Sequence, residues 1–193
     1  VLGLPSAEQV LADQYIGPEG FTLREITRAT DNYSAKQDLF SYYGQLDLTF
    51  FEKFRLTGGV RIEDNNQQVK TFELFNPNNT PIQSGLVKVD LLPSIASTWI
   101  ISDKQQLRAS YAQTLSRPDF RELSPAPFTD PANDKETIGN PNLAQTSIDS
   151  YDLRWEYYFS GTENFSIGLF NKDLLNPIEK ILLPGPAGLL TLQ

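Results

Sequence analysis

Seven charged side chains, Arg61, Glu63, Arg108, Asp152, Arg154, Glu156 and Lys172, sit in segments where polar and large apolar residues alternate. The clearest is Tyr151-Asp-Leu-Arg-Trp-Glu-Tyr-Tyr-Phe159. Successive side chains of a strand leave opposite faces. Tyr151, Leu153, Trp155, Tyr157 and Phe159 therefore share one face, and Asp152, Arg154, Glu156 and Tyr158 the other. Charges collected in this way can line a bore and touch what passes through it. The plainer reading, a solvated and mutually paired lining with no ligand role, is preferred. A second group opens the longest connection, Arg117-Pro-Asp-Phe-Arg-Glu-Leu-Ser-Pro125, with Phe128 just beyond. Guanidinium groups and rings on a loop, here Arg117, Asp119, Phe120, Arg121 and Phe128, can grip an anionic or ring-bearing ligand. Packing of the loop itself is again the plainer reading and the preferred one. Asp130-Pro-Ala-Asn-Asp-Lys-Glu136 offers oxygen ligands but lacks the spacing and central Gly of a calcium loop.

Other chemistries are excluded by residue type. The chain has 0 His and 0 Cys, so no Ser-His-Asp triad, imidazole ligand, disulfide or thiolate metal site is available in it. No nucleophile–base pair, phosphate-cradling glycine loop or carboxylate dyad stands out, so an enzyme is not expected and no cofactor is called for. With 24 acidic and 16 basic residues the net charge is −8, which disfavours a nucleic-acid partner. With 0 Met, Val1 is not read as a translation start, and the 193 residues are expected to be a piece of a longer chain. No run approaches the ~20 apolar residues of a membrane helix, a test that barrel strands escape.

The elements that must position these residues are strands. Six are expected, over about 33–50, 55–72, 87–101, 106–115, 147–159 and 165–181. Connections alternate in length. Short turns fall near 51–54, 102–105 and 160–164, and long loops near 64–86, 116–146 and 182–193. The second strand turns polar beyond Glu63, as if leaving an apolar layer. Gly58 and Gly59 suit a bend in a barrel wall, and Pro93 implies an irregularity near Leu91–Ser94. Residues 1–30 are expected to be loop with a short helix, Ser6–Gln9 resembling a capping box and Phe21–Arg28 extended. Aromatic residues gather at the short turns: Phe50, Phe51, Phe54, Trp99, Tyr157, Tyr158, Phe159 and Phe165. A row of rings at one level is what an interfacial girdle looks like, because amphipathic rings favour the headgroup zone. Tight turns on one side and long loops on the other are the pattern of an outer-membrane barrel.

Several strings strengthen this reading by their order. They are Gly59-Val-Arg-Ile-Glu63; Leu92-Pro-Ser94; the run from Leu107 through Arg117-Pro-Asp-Phe-Arg-Glu-Leu-Ser-Pro125; Gly139-Asn-Pro-Asn-Leu143; Tyr151 to Phe159; and Phe170-Asn-Lys-Asp173 followed by Asn176-Pro-Ile-Glu179. Together, across residues 30–180, they resemble the barrel half of TonB-dependent outer-membrane receptors. The resemblance implies an all-β, antiparallel up-and-down meander that supplies about six strands of a barrel of about 22. It implies residence in the outer membrane of a Gram-negative bacterium, in contact with lipid. It also implies active import of a scarce small-molecule or oligosaccharide ligand, of the iron–siderophore or carbohydrate type. TonB would be met through a plug domain that these residues lack, as they lack the C-terminal strands.

Two other classes fit part of the pattern. A passive porin or an adhesin-type barrel would have the same strands without a plug. A soluble β-sandwich binding module would bury Trp155 and Tyr157 against a second sheet. Six strands cannot close a barrel, so an isolated chain is expected to pair or seal its two edges.

Overall fold

A computed structural model describes residues 12–17, 20–22, 32–72, 80–130, 135–183 and 189–192. Strands β1 (Asn32–Phe50), β2 (Phe54–Phe72), β3 (Gln83–Ser102), β4 (Gln105–Ser116), β7 (Thr146–Tyr158) and β8 (Asn164–Leu175) form one antiparallel sheet in that order. Four short strands, β5 (Pro127–Asp130), β6 (Lys135–Ile138), β9 (Lys180–Leu183) and β10 (Leu189–Leu192), form a second sheet within the long connections. The expected all-β meander is what the chain forms. Among the described residues no helix is long and apolar enough to cross a membrane, which says nothing of strands.

The pairing register makes each face continuous from strand to strand. Phe54, Trp99, Leu107, Trp155 and Ile167 lie in one cross-strand row at the tight-turn end. Trp155 meets Phe165 edge-on at 6.4 Å and Tyr157 at 6.2 Å, and Phe50 meets Phe54 at 6.4 Å. Further up the same face Tyr111 stacks on Tyr151 at 5.1 Å, and its hydroxyl donates to Asp149 at 2.8 Å. No described layer covers this face: Leu153 is 43% exposed and Ile167 53%. Trp155 and Tyr157, which a soluble sandwich would bury against a second sheet, are half-buried on this same face.

The sheet is open. β1 and β8 are its edges, and neither pairs on its far side with a described strand. Among the described residues nothing pairs with or covers these two edges. The bare main-chain groups they present are satisfied only where further strands continue the wall.

Several boundaries differ from the sequence reading. β2 runs to Phe72, as expected for the strand over 55–72, and β3 begins at Gln83 rather than near 87, so strands take up both ends of the stretch 64–86 expected as a long loop. The polar run stays in the strand because its alternate residues Asn65, Gln67, Val69 and Thr71 are buried under the loop after β4, while Asp64, Asn66 and Gln68 lie on the opposite face. Asn65 takes up its own polar capacity by donating to Leu86 O at 2.8 Å and accepting from Gln37 at 2.6 Å.

The irregularity expected near Pro93 is absent from the β2–β3 register, where Pro93 pairs opposite Val60. Its effect is felt on the other side. The β3–β4 ladder ends at Ser94 and Ala112, leaving Pro93, which has no N–H, where a donor is not needed. The last strand ends at Leu175 and not at Ile181. Asn176 takes a left-handed φ of 55°, Pro177 cannot donate, and Lys180–Leu183 pairs with β10. The helix expected within residues 1–30 starts outside the described residues; what is described there is a 3₁₀ turn, Asp13–Tyr15. The extended segment expected over 21–28 lies largely outside them too.

The wall is uneven. β1, β2 and β3 are 19, 19 and 20 residues long, whereas β4, β7 and β8 are 12, 13 and 12. The first three strands therefore project past the others at the long-loop end, and there Val69 of β2 packs with Leu123 and Leu143 in the hydrophobic cluster of the described residues. At Gly59 an added Cβ would lie 2.8 Å from Gly44 O, so β1 and β2 approach closely there. The hairpin between them turns on Phe51 and Glu52, both left-handed (φ 52° and 56°), with Lys53 N donating to Phe50 O at 3.1 Å. A side chain there costs conformational energy that glycine does not. Glu52→Gly is expected to stabilise the complete barrel by roughly 0.5–1 kcal/mol, read as a higher urea midpoint with an unchanged slope.

Candidate functional site

The polar face of the large sheet collects all seven charged candidates. Glu63 lies opposite Ser41 and Asp90, and Arg61 opposite Leu92. Arg108 lies opposite Arg154, and Lys172 opposite Ser150. They form two clusters and two single residues.

At the tight-turn end Glu156 is the hub. Its oxygens meet Arg154 Nε at 2.9 Å and Arg108 Nε at 3.5 Å, and accept from the Tyr158 hydroxyl at 2.9 Å and from the Gln106 amide. Arg108 and Arg154 face each other directly across the ladder, a repulsive placement that the shared carboxylate offsets. Asp47 and Arg55 form a further pair on this face, 2.9 and 3.1 Å from Arg55 Nε to the two oxygens.

The second cluster lies where the tall strands leave the band of apolar residues. Arg117 donates to Glu63 at 2.7 Å and to Asp90 at 3.1 Å, and its side chain is 12% exposed. Arg61 reaches Glu63 at 2.6 Å and Ser41 at 2.9 Å, and Lys88 reaches Asp90 at 3.2 Å. Gln145 donates at 2.6 Å to Asp90 Oδ1, the oxygen that Lys88 also approaches. Two buried carboxylates are thus held among three cations and an amide, which is how burial of charge is tolerated. Asp152 and Lys172 are exposed and make no ion pair with a described residue.

The loop candidates are placed unequally. Arg117 is consumed by the cluster just described. Asp119 caps the one-turn helix Phe120–Leu123 in a capping box with Glu122, whose carboxylate accepts from Asp119 N at 2.8 Å. Phe120 packs against the Val69–Leu123–Leu143 cluster. Pro118 O accepts from Gln67 at 2.8 Å and Leu123 O from Ser84 at 2.9 Å, so the loop is seated on β2 and β3. Asp119 and Arg121 are exposed. Phe128 belongs to β5, and its side chain lies outside the described residues. The oxygen-rich stretch 130–136 also lies largely outside them. Among the described residues no group of His, Cys, Asp or Glu side chains is placed to hold a metal ion.

Sequence reasoning missed Lys88, Asp90 and Gln145 in this cluster, and Gln67 beside it. Asp90 shares the alternation of its strand and was in principle readable from it; Gln145 and Gln67 are polar residues in polar surroundings and carry no local signal. It also missed Tyr43, 78% exposed on the polar face, which borders a cleft of about 310 Å³ over Gly59 with Gln45, Arg61, Leu92 and Ser94.

The chain thus presents a polar face on which most of the charges pair with one another. Its sequence matches a known family, the TonB dependent receptor-like β-barrel, over residues 8–191. The chain belongs to that family. No curated protein matches it in sequence. Among solved structures it is similar to the siderophore receptor PirA from Pseudomonas aeruginosa, at 16% identity over 83% of this chain and 37% of that one, TM-score 0.48. It is also similar to a mutant ferric enterobactin receptor PfeA from the same organism in complex with enterobactin, at 15% identity over 82% and 31%, TM-score 0.49. The chain spans about a third of the length of these two structures. Within this TonB-dependent receptor barrel, the string from Arg117 to Pro125 is the docking foot of a long loop.

Gly139 shows how closely that foot is fitted. A Cβ there would meet Ser124 O at 2.2 Å, Glu122 O at 2.5 Å and Arg121 O at 2.6 Å. Gly139→Ala is therefore expected to cost roughly 1–3 kcal/mol by overpacking against backbone that cannot yield. Limited proteolysis of the complete receptor should find the 117–145 loop cut faster and the strands unaffected.

Proposed function

We propose that this chain forms part of a TonB-dependent receptor in the outer membrane of a Gram-negative bacterium, which actively imports a scarce ligand of the iron–siderophore or oligosaccharide type. The observation that carries the proposal is the two-sided wall in a chain of this family. An apolar face bordered by aromatic rows stands ready for acyl chains, and a face of paired charges stands ready for an aqueous bore. On this reading Arg61, Glu63, Arg108, Asp152, Arg154, Glu156 and Lys172 line the lumen. The clusters around Glu156 and Glu63 are paired lining, while Asp152, Lys172 and Tyr43 are available to a plug or a passing ligand. Arg121 and Phe128 are the loop residues left to meet ligand at the outer mouth; Arg117, Asp119 and Phe120 hold the loop in place. TonB would act through a plug domain outside these residues, and the protein's work is transport, not catalysis.

Two measurements test this. Cells expressing the complete receptor should accumulate at least one member of a panel of radioiron-loaded siderophores and labelled maltooligosaccharides, and deleting TonB should abolish the accumulation. Uptake that continues without TonB would identify a passive pore and refute the proposal. Independently, Leu153→Arg should destabilise the complete barrel in lipid vesicles by ~2–4 kcal/mol if that face meets the hydrocarbon core. A near-zero change would place Leu153 in water.

A further inference from the structure

Both ends of the 117–145 loop are tied to one side chain. Arg117 donates to Asp90 Oδ2 at 3.1 Å and Gln145 to Asp90 Oδ1 at 2.6 Å, and the carboxylate is only 7% exposed. Glu63 engages the first end alone. Above Pro93 no β3–β4 pairs bridge the strands, so in this region Asp90 contacts the loop ends where a ladder partner would otherwise sit. The apolar support beneath the loop is small, three buried residues with Tyr33, Phe120 and Ile178 packed against them. Lys88 Nζ also lies 3.2 Å from Asp90 Oδ1, and Arg117 Nε and Gln145 Oε1 are buried side-chain atoms already without a hydrogen-bond partner, so losing a further bond at this seat adds to an existing deficit.

From this convergence we infer that Asp90 is the positioning residue of the outer loop. By holding first and last residues together it removes the closure freedom of the whole segment and sets where the β5–β6 hairpin stands. The hairpin in turn carries the next connection, because β6 pairs in parallel with β10 through Thr137–Leu190 and Ile138–Thr191. One buried carboxylate thereby fixes two neighbouring loops. Its effect on ligand rests on the proposed reading that this loop meets ligand; its effect on the loop does not.

The test uses the complete receptor with a spin label on Asn142→Cys, a site made distinctive by the absence of Cys from these 193 residues. Asp90→Asn keeps the size and shape of the side chain but presents Arg117 with an uncharged partner. It should convert the label from an immobilised to a mobile line shape while the barrel keeps its heat-modifiable gel mobility. Gln145→Leu, which frees one end only, should give a partial change, and it serves where Asp90→Asn fails to fold. For whichever panel member the cells accumulate, Asp90→Asn should weaken binding roughly tenfold or more, the scale of loss when a positioning group shifts. Mobilisation of the label with unchanged binding supports the role of Asp90 and removes the loop from ligand contact. A label as immobile in both variants as in the parent, in a folded barrel, overturns the inference.

Discussion

An antiparallel ladder with different surroundings on its two faces cannot slip by one residue, because the slip would exchange every side chain between them. That constraint organises this chain. From Phe54 through Trp99, Leu107, Trp155 and Ile167 the register keeps one face apolar across five strands. The same register delivers Asp47, Arg55, Arg61, Glu63, Arg108, Arg154 and Glu156 to the other face, where Asp47 pairs with Arg55, Glu63 with Arg61, and Glu156 with Arg108 and Arg154. Ion pairing within the wall is therefore a consequence of the apolar face: once the greasy side is committed, the charged side has no choice of neighbours.

The unequal strand lengths decide where the loop can sit. Projecting beyond the shorter strands, β2 and β3 present Asn65, Gln67, Val69, Thr71 and Ser84 as a platform, and the segment after β4 lies down on it. Buried polar groups there need partners. The loop's own backbone provides them at Pro118 O and Leu123 O, and the carboxylates of Glu63 and Asp90 are met by Arg117. Family membership and this geometry together explain why a string with the residue types of a ligand grip, Arg117-Pro-Asp-Phe, is spent mostly on docking.

Much of the architecture could be read from residue order. The two-residue period marked all six strands, the aromatic clusters marked the tight turns, and the resemblance of ordered strings pointed to the family before any coordinates. Readings failed where a residue's neighbour was remote in sequence. The stretch placed as loop near 64–86 is polar without a local reason, yet its alternate residues Asn65, Gln67, Val69 and Thr71 are buried, Gln67 donating to Pro118 O and Val69 packed with Leu123 and Leu143. Asn176–Ile181 looks like more strand because its apolar residues continue, yet a left-handed Asn and a Pro turn the chain away.

The amino-acid sequence by itself determined the strands, their two-faced character, the tight-turn end and the family, since all of these depend on local periodicity and on short strings. Only the tertiary structure decided which charges pair, where β3 begins and β8 ends, and that both ends of a long loop converge on Asp90. Those outcomes depend on groups as far apart in sequence as Asp90 and Gln145, brought together by register and burial, and no local pattern encodes a meeting of that kind.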